Sequence, residues 1–467
     1  MGRQISRWIG IRLLRTAGVI GTILAIELLC GSLPSANAGP RAHTLSTLYN
    51  FCSFKNCKDG NAPLGLVSDS HGNLFGMTAF GGAHFQQGQG TVYELKKGST
   101  FKLLHTFCLN RDCSDGRGSS GPLIVDALGN VYGMTYGGGA HNGGVVFELS
   151  PPSGRGDWTY RKLYDFCAGK NCTDGAGPFA GLTYAGQASG APYDGTLPLY
   201  GITASGGGHS GGTAFQLSPA EAGAWSESVL YSFCSQGGSA CTDGWEPQGR
   251  LIMDADGNLF GTTLIGGANH PDSFTRGAGV VFGLRPNGAS WIESTLYDFC
   301  AQSECVDGAG PYAGLVQDAL GNLFGVTAYG GVQCTLAGLT QTCGTVFELS
   351  PNGGLWSETV VHAFCAEEDC PDGAAPVGTL VLDASGRLYG TTTAGGGNDN
   401  PFQEGAGTVF RLSGTTYKVL HRFCGLANCT DGASPSLGVI LGKGHALFGT
   451  TAFGGVNPSG TVFEIDY

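Results

Sequence analysis

Sixteen of the seventeen cysteines fall into eight close pairs: Cys52/Cys57, Cys108/Cys113, Cys167/Cys172, Cys234/Cys241, Cys300/Cys305, Cys334/Cys343, Cys365/Cys370 and Cys424/Cys429. Cysteines at such spacing do one of two things, forming disulfides or holding metal. A structural zinc site needs four ligands, and each pair lacks the second pair that would complete one. Local disulfides are therefore expected, with no metal and no cofactor. Closing so short a loop stabilises by about 2 kcal/mol per bridge in the chain-entropy model.

Other residues could carry chemistry. An Asp-Gly follows seven of the pairs, at Asp59, Asp115, Asp174, Asp243, Asp307, Asp372 and Asp431. These carboxylates are candidate ligand contacts. Four histidines, His84, His141, His209 and His270, follow a Gly-Gly in consecutive units. Equivalent positions on neighbouring units lie about 10 Å apart, so four such rings cannot converge on one ion, and they are expected to be exposed loop residues that touch a ligand or nothing. Trp245 stands directly after Asp243-Gly244, where Ala309, Ala374 and Ala433 occupy other units. It suits either stacking on a sugar or capping the strand beneath it. Gly208-His-Ser-Gly-Gly212 fits the G-x-S-x-G pattern of serine hydrolases, but that chemistry needs a strand-to-helix elbow and no helical pattern follows. With Gly this frequent, one accidental match is expected. No unit carries a cluster of acid, base and nucleophile, so the reading leans away from an enzyme.

The elements that position these residues repeat. From Cys365 to Cys424, four runs of strand length, rich in β-branched and aromatic residues, are separated by Asp-, Ser- and Gly-bearing turns. No ten-residue stretch has helical spacing. Phe-Cys recurs seven times at intervals of 56 to 67 residues, and seven third runs of the Thr-Val-Phe type follow in the same order. The units run approximately 52–108, 108–167, 167–234, 234–300, 300–365, 365–424 and 424–467. The repeating region begins with a lone fourth run, Thr44–Cys52, and ends on a third run, Thr461-Val-Phe-Glu-Ile465. The first strand thus completes the last unit, and the fold predicted over 39–467 is an all-β, seven-bladed β-propeller of four-stranded antiparallel blades, closed by pairing the N-terminal strand with the last blade. An open solenoid leaves the half-strand offset unexplained and its end edges bare.

Residues 1–38 read differently. Four arginines precede an apolar run, Ala17–Leu29, and Ala36-Asn37-Ala38 supplies a small-x-small site. That is a signal peptide, cut after Ala38. Its removal takes the net charge from −12 to about −15. A chain this acidic, without a basic stripe, is not suited to nucleic acid, and no transmembrane segment remains after cleavage.

Asp-x-x-Gly-Asn-Leu-Phe-Gly-x-Thr, then Gly-Gly, then Gly-Thr-Val-Phe-x-Leu, as at Asp69–Thr78 and Gly344–Leu349, resembles the GloVer tandem repeat of exported bacterial proteins. The resemblance covers Thr44 to Tyr467. The third unit departs from it with Tyr193-Asp-Gly-Thr-Leu-Pro-Leu-Tyr200, and the last with Gly442-Lys-Gly-His-Ala446. Secretion or surface display is what the resemblance implies; it implies no activity.

In a four-stranded meander the cysteine loop and the Gly-Gly loop emerge on one face, which is the expected functional face. The first reading is a monomeric binding module for glycan or an extracellular protein, secreted, periplasmic or on the cell surface. The alternative is an extracellular polysaccharide lyase or hydrolase whose site lies at the axial mouth of that face.

Overall fold

Each strand-length run pairs antiparallel with the next, and the second and third runs of a blade, apolar on both faces, are buried between two neighbouring sheets. The computed structural model describes residues 43–467 apart from 83–88, 98–99, 111, 237–240, 270–275, 337–338, 398–404 and 436. It forms seven blades, each a meander of inner, second, third and outer strands. The fifth is representative: Val316–Gln317, Leu323–Thr327, Thr345–Asn352 and Leu355–Ala363. In the fourth blade the inner strand is split into Trp245–Pro247 and Ile252–Met253, both paired with Leu259–Ile265. Helical structure among the described residues is confined to short 3-10 turns, and no helix is long and apolar enough to cross a membrane.

The ring closes as the sequence implies. Thr44–Asn50 pairs antiparallel with Thr461–Asp466, from Thr44 opposite Asp466 to Asn50 opposite Thr461. Its register shifts by one residue between Thr47 and Tyr49. The same bulge interrupts the outer strand of other blades, for example opposite Val346/Phe347 and Val409/Phe410. The N-terminal strand is therefore an outer strand in detail as well as in position.

Blade is joined to blade by an aromatic pair. The Phe of every Phe-Cys is buried and meets, edge to face, the aromatic residue on the third strand of the following blade: Phe51–Tyr93, Phe107–Phe147, Phe166–Phe215, Phe233–Phe282, Phe299–Phe347, Phe364–Phe410 and Phe423–Phe463. Centroids lie 4.8 to 5.4 Å apart, within the range such pairs favour. The third-strand ring needs space beneath it, which explains the Gly in Leu-Phe-Gly: a Cβ on Gly325 or Gly390 would overlap the ring of Phe347 or Phe410.

The outer-strand aromatics do not share one position. Trp225, Trp291 and Trp356 sit opposite Pro219, Pro286 and Pro351, whereas Phe101 and Tyr417 sit opposite Leu95 and Leu412, two residues further along the outer strand. The position shared with Phe101 and Tyr417 holds Tyr160, Glu227, Glu293 and Glu358 in the remaining four of blades one to six.

Removing Thr44–Asn50 should leave the Thr461–Asp466 edge unpaired. We expect the shortened chain to melt about 5 °C or more below the full chain and to self-associate with rising concentration, measured by differential scanning calorimetry and light scattering.

Candidate functional site on the cysteine-loop face

All eight cysteine pairs are disulfides: Cys52–Cys57, Cys108–Cys113, Cys167–Cys172, Cys234–Cys241, Cys300–Cys305, Cys334–Cys343, Cys365–Cys370 and Cys424–Cys429. In seven of them the carbonyl of the second cysteine accepts a hydrogen bond from an N–H of the Gly-Gly loop of its own blade. The donors are Gly82 to Cys57, Gly139 to Cys113, Gly207 to Cys172, Gly267 to Cys241, Gly331 to Cys305, Gly396 to Cys370 and Gly455 to Cys429. The two loop families therefore meet on one face.

These second cysteines correct the picture of the loop as an open surface feature. Cys57, Cys241, Cys305, Cys370 and Cys429 are buried, and Cys113 and Cys172 are half-buried. All seven stand at positive φ, from 44° at Cys241 to 55° at Cys172, with Cys113 at 48°, Cys305 at 51° and Cys429 at 53°. Cys57, Cys172, Cys305 and Cys429 each close a single 3-10 turn, where the sequence suggested plain loop. The physical reason is the same for all: the carbonyl must turn inward to receive the Gly-Gly N–H, and the left-handed backbone turns it. The cysteines are structural members of the face and offer nothing to a ligand. The additional bridge, Cys334–Cys343, joins the ends of a small hairpin, Gln333–Leu336 with Leu339–Thr342, and packs beside Cys365.

The seven Asp-Gly aspartates serve this joint. Each accepts a hydrogen bond from a Tyr hydroxyl or His Nε2 two residues before the Phe-Cys phenylalanine: Tyr49–Asp59, His105–Asp115, Tyr164–Asp174, Tyr231–Asp243, Tyr297–Asp307, His362–Asp372 and His421–Asp431. The same carboxylates take backbone N–H groups of the cysteine loop, for instance Ala301 and Gln302 on Asp307. Several are almost wholly buried. A carboxylate so placed holds the loop, although in Asp243 every such bond falls on Oδ2 and Oδ1 is buried without a partner. The Gly that follows has φ between 93° and 107° in all seven, and a Cβ on it would run into a second-strand Thr such as Thr78.

On the position opposite the third-strand Leu, the outer strand of the next blade completes each pair. Phe101 stacks on Tyr49, Tyr160 on His105 and Tyr417 on His362. The Tyr160 and Tyr417 hydroxyls donate to the carbonyls of Asp115 and Asp372. Where the aspartate's partner is Tyr164, Tyr231 or Tyr297, that position is Glu227, Glu293 or Glu358. Burial, and then the charge of Asp174, Asp243 or Asp307, pushes each of these glutamates up to about 7. They repeat around the blade seams, one per seam, instead of converging near the axis.

The Asp-x-x-Gly-Asn turns are likewise self-satisfied. Asp254 Oδ1 accepts the N–H groups of Asp256 and Asn258, and Oδ2 accepts the Asn258 amide.

Of the four loop histidines, His141 and His209 are exposed on the cysteine-loop face, and the His209 N–H donates to Ser232 Oγ; His84 and His270 lie outside the described residues. Trp245 is half-buried, paired across from Ile265, with the Arg276 guanidinium 5.2 Å from its ring centre.

What the sequence reading missed is a set of aromatics at the second-strand ends, Phe80 and Phe453 two residues after Thr78 and Thr451, and Tyr136 directly after Thr135. Phe80, Tyr136 and Phe453, in blades one, two and seven, are 59%, 52% and 48% exposed. Three consecutive blades of the closed ring thus hold an aromatic ring in solvent, and Tyr329 of blade five is exposed likewise. Tyr136 borders a cleft of about 370 Å³ between blades two and three, with Arg117, Asn142, Gln89 and Ser205. Arg117 Nη2 donates to Asn142 Oδ1 at 2.8 Å, which orients the guanidinium across the cleft. Arg117 follows Asp115-Gly116 as Trp245 follows Asp243-Gly244. That substitution of a long cation for a small residue was the available signal.

With this geometry in place, the comparisons are direct. The family model of the Gloeobacter/Verrucomicrobia repeat matches residues 38–240, 191–400 and 332–467. The chain belongs to this repeat family. No curated protein matches it. Among solved structures, similarity extends to a protein assigned as a gluconolactonase (12% identity over 91% of this chain and 93% of that one, TM-score 0.39). It also extends to a Mycobacterium tuberculosis puromycin-hydrolyzing peptidase (12%, 88% and 52%, TM-score 0.49) and a Trypanosoma rangeli sialidase (11%, 91% and 58%, TM-score 0.44). The chain spans little more than half of the last two.

The glutamate seams make stability depend on pH. Their folded-state pKa lies above the ordinary value of 4.5, so the protonated form belongs to the fold. Their contribution is complete below pH 4.5 and is lost as the pH rises through 7. The melting temperature should fall between about pH 5 and 8, and the triple variant Glu227→Gln, Glu293→Gln, Glu358→Gln should flatten that fall when followed by circular dichroism.

Proposed function

We propose that this repeat protein is an exported, disulfide-stapled propeller that binds glycans on its cysteine-loop face. The observation that carries the reading is the cleft beside Tyr136. A sugar ring presents apolar C–H faces and a hydroxyl rim, and it is held by an aromatic face flanked by planar hydrogen-bonding groups. The half-exposed Tyr136 ring supplies the first, and the Arg117–Asn142 pair with Gln89 and Ser205 supplies the second. Phe80 and Phe453 add exposed aromatic rings on the two preceding blades. The chemistry leans towards binding because the aspartates on this face are engaged in holding the loops.

Export accords with the eight disulfides and with the signal-like segment of residues 1–38. Edman sequencing of the protein recovered outside the cytoplasm should begin at Gly39, and an unprocessed N-terminus would count against a cleaved signal.

A glycan array followed by calorimetric titration of the best binder tests the site. Tyr136→Ala should weaken binding about tenfold, the worth of one stacking contact, and Arg117→Ala should weaken it similarly. Trp245→Ala, under the Arg276 cap, should leave affinity unchanged. Release of reducing sugar from a polysaccharide would replace the binding reading with the catalytic one.

A further inference from the structure

The seven inner strands enclose a cavity of about 1140 Å³ on the propeller axis, lined from every blade. Its wall is mostly aliphatic, with Leu64, Ile252, Val316, Val381 and Ile440 among the lining side chains, and Phe179 and Tyr312 in edge-to-face contact (centroids 6.0 Å apart). Small-molecule sites have this character: apolar overall, with a few placed polar groups.

The polar groups are not distributed evenly. Each blade's inner segment carries a buried Leu or Val, and the residue before it is Gly65, Pro122, Gly181, Gly314, Thr379 or Gly438 in six blades. In the fourth it is Arg250. The Arg250 Nε donates to the Leu182 carbonyl at 3.0 Å, and among the described residues the guanidinium has no carboxylate within ion-pair distance. Burial pulls its pKa down to about 10, which still leaves it charged at neutral pH. The cavity's one lining carboxylate, Asp383, is engaged elsewhere, by Arg387 Nε at 2.7 Å, the Tyr389 hydroxyl at 3.1 Å and its own turn. A cation facing an apolar chamber without a counter-charge is costly. Three lining residues, Ser119, Ser120 and Gln248, also carry a side-chain oxygen that is buried behind the wall without a hydrogen-bond partner.

We propose that the axial cavity is a binding site for a small amphiphilic monocarboxylate, its carboxylate paired with Arg250 and its apolar body against the aliphatic wall. One arginine matches one negative charge, and its planar fork fits a carboxylate in two-point contact. A dianionic phosphate would keep a charge unpaired in an apolar chamber. This site shares no lining residue with the Tyr136 cleft, so it stands or falls independently of glycan binding.

Calorimetric titration of the full oxidised protein with dodecanoate and, separately, dodecanol, both below their aggregation limits, tests it without any variant. Dodecanoate should bind saturably and at least tenfold more tightly than dodecanol. Arg250→Gln should lower dodecanoate affinity at least tenfold while leaving dodecanol affinity within twofold, its fold checked by circular dichroism. Equal affinity for the acid and the alcohol would overturn the proposal, as would absence of saturable dodecanoate binding, or an Arg250→Gln variant that is folded and binds dodecanoate as well as the parent.

Discussion

The edge-to-face contact between the Phe-Cys ring of one blade and the third-strand ring of the next holds this ring of sheets together. A four-stranded sheet with apolar side chains on both faces is not stable alone, and each blade must be held at a fixed angle to its neighbours. The repeated aromatic pair sets that angle seven times. Two features of the repeat follow from it. The second strand gives up a side chain at Gly325 and its equivalents to make room for the ring. The chain after the Phe must turn at once towards the axis, which the disulfide loop accomplishes with both cysteines at positive φ, as in Cys108 and Cys113 or Cys300 and Cys305.

That sharp turn would leave backbone N–H groups unpaired, and the Asp of Asp-Gly meets them. The same carboxylate receives a Tyr or His from the outer strand, and a residue of the next blade completes the seam. The pairing within seams is selective: both seams with a Tyr in the last role carry His, and the three with Glu carry Tyr. A histidine on the aspartate presents a flat ring, and the tyrosine of the next blade stacks on it. A tyrosine supplies no charge but can donate a hydrogen bond, and the added glutamate is then accommodated by rising towards its neutral form.

Because the repeat spends its aspartates, turns and most aromatics on structure, specificity is found where a blade breaks the pattern. Arg117 and Tyr136 in blade two, Trp245 and Arg250 in blade four, and the stapled hairpin in blade five are such breaks. Two of them, Arg117 and Arg250, place a cation where most other blades carry a small or uncharged residue. One opens on the cysteine-loop face and the other into the axial cavity.

The periodicity of Phe-Cys, Asp-Gly and Thr-Val-Phe, together with an unpaired strand at each end, was enough to specify blade number, closure and disulfide partners. Those properties are local or repetitive, and short loops leave few ways to pair cysteines. The inward turn of Cys113, Cys241, Cys305 and Cys429 was not legible, because it answers to a Gly-Gly N–H more than twenty residues further along the chain. Which outer-strand aromatics are equivalent was not legible either, because the hairpin turns before them differ in length and strand pairing, not distance along the chain, sets the match. The role of the aspartates was hidden for a different reason: each is held by a side chain ten or twelve residues earlier, and a seam is completed by another blade. The axial cavity could not be read from one repeat at all. It exists only when seven inner strands, spread over the whole length of the repeating region, face one another, and only then does Arg250 stand out as a cation with no carboxylate beside it among the described residues.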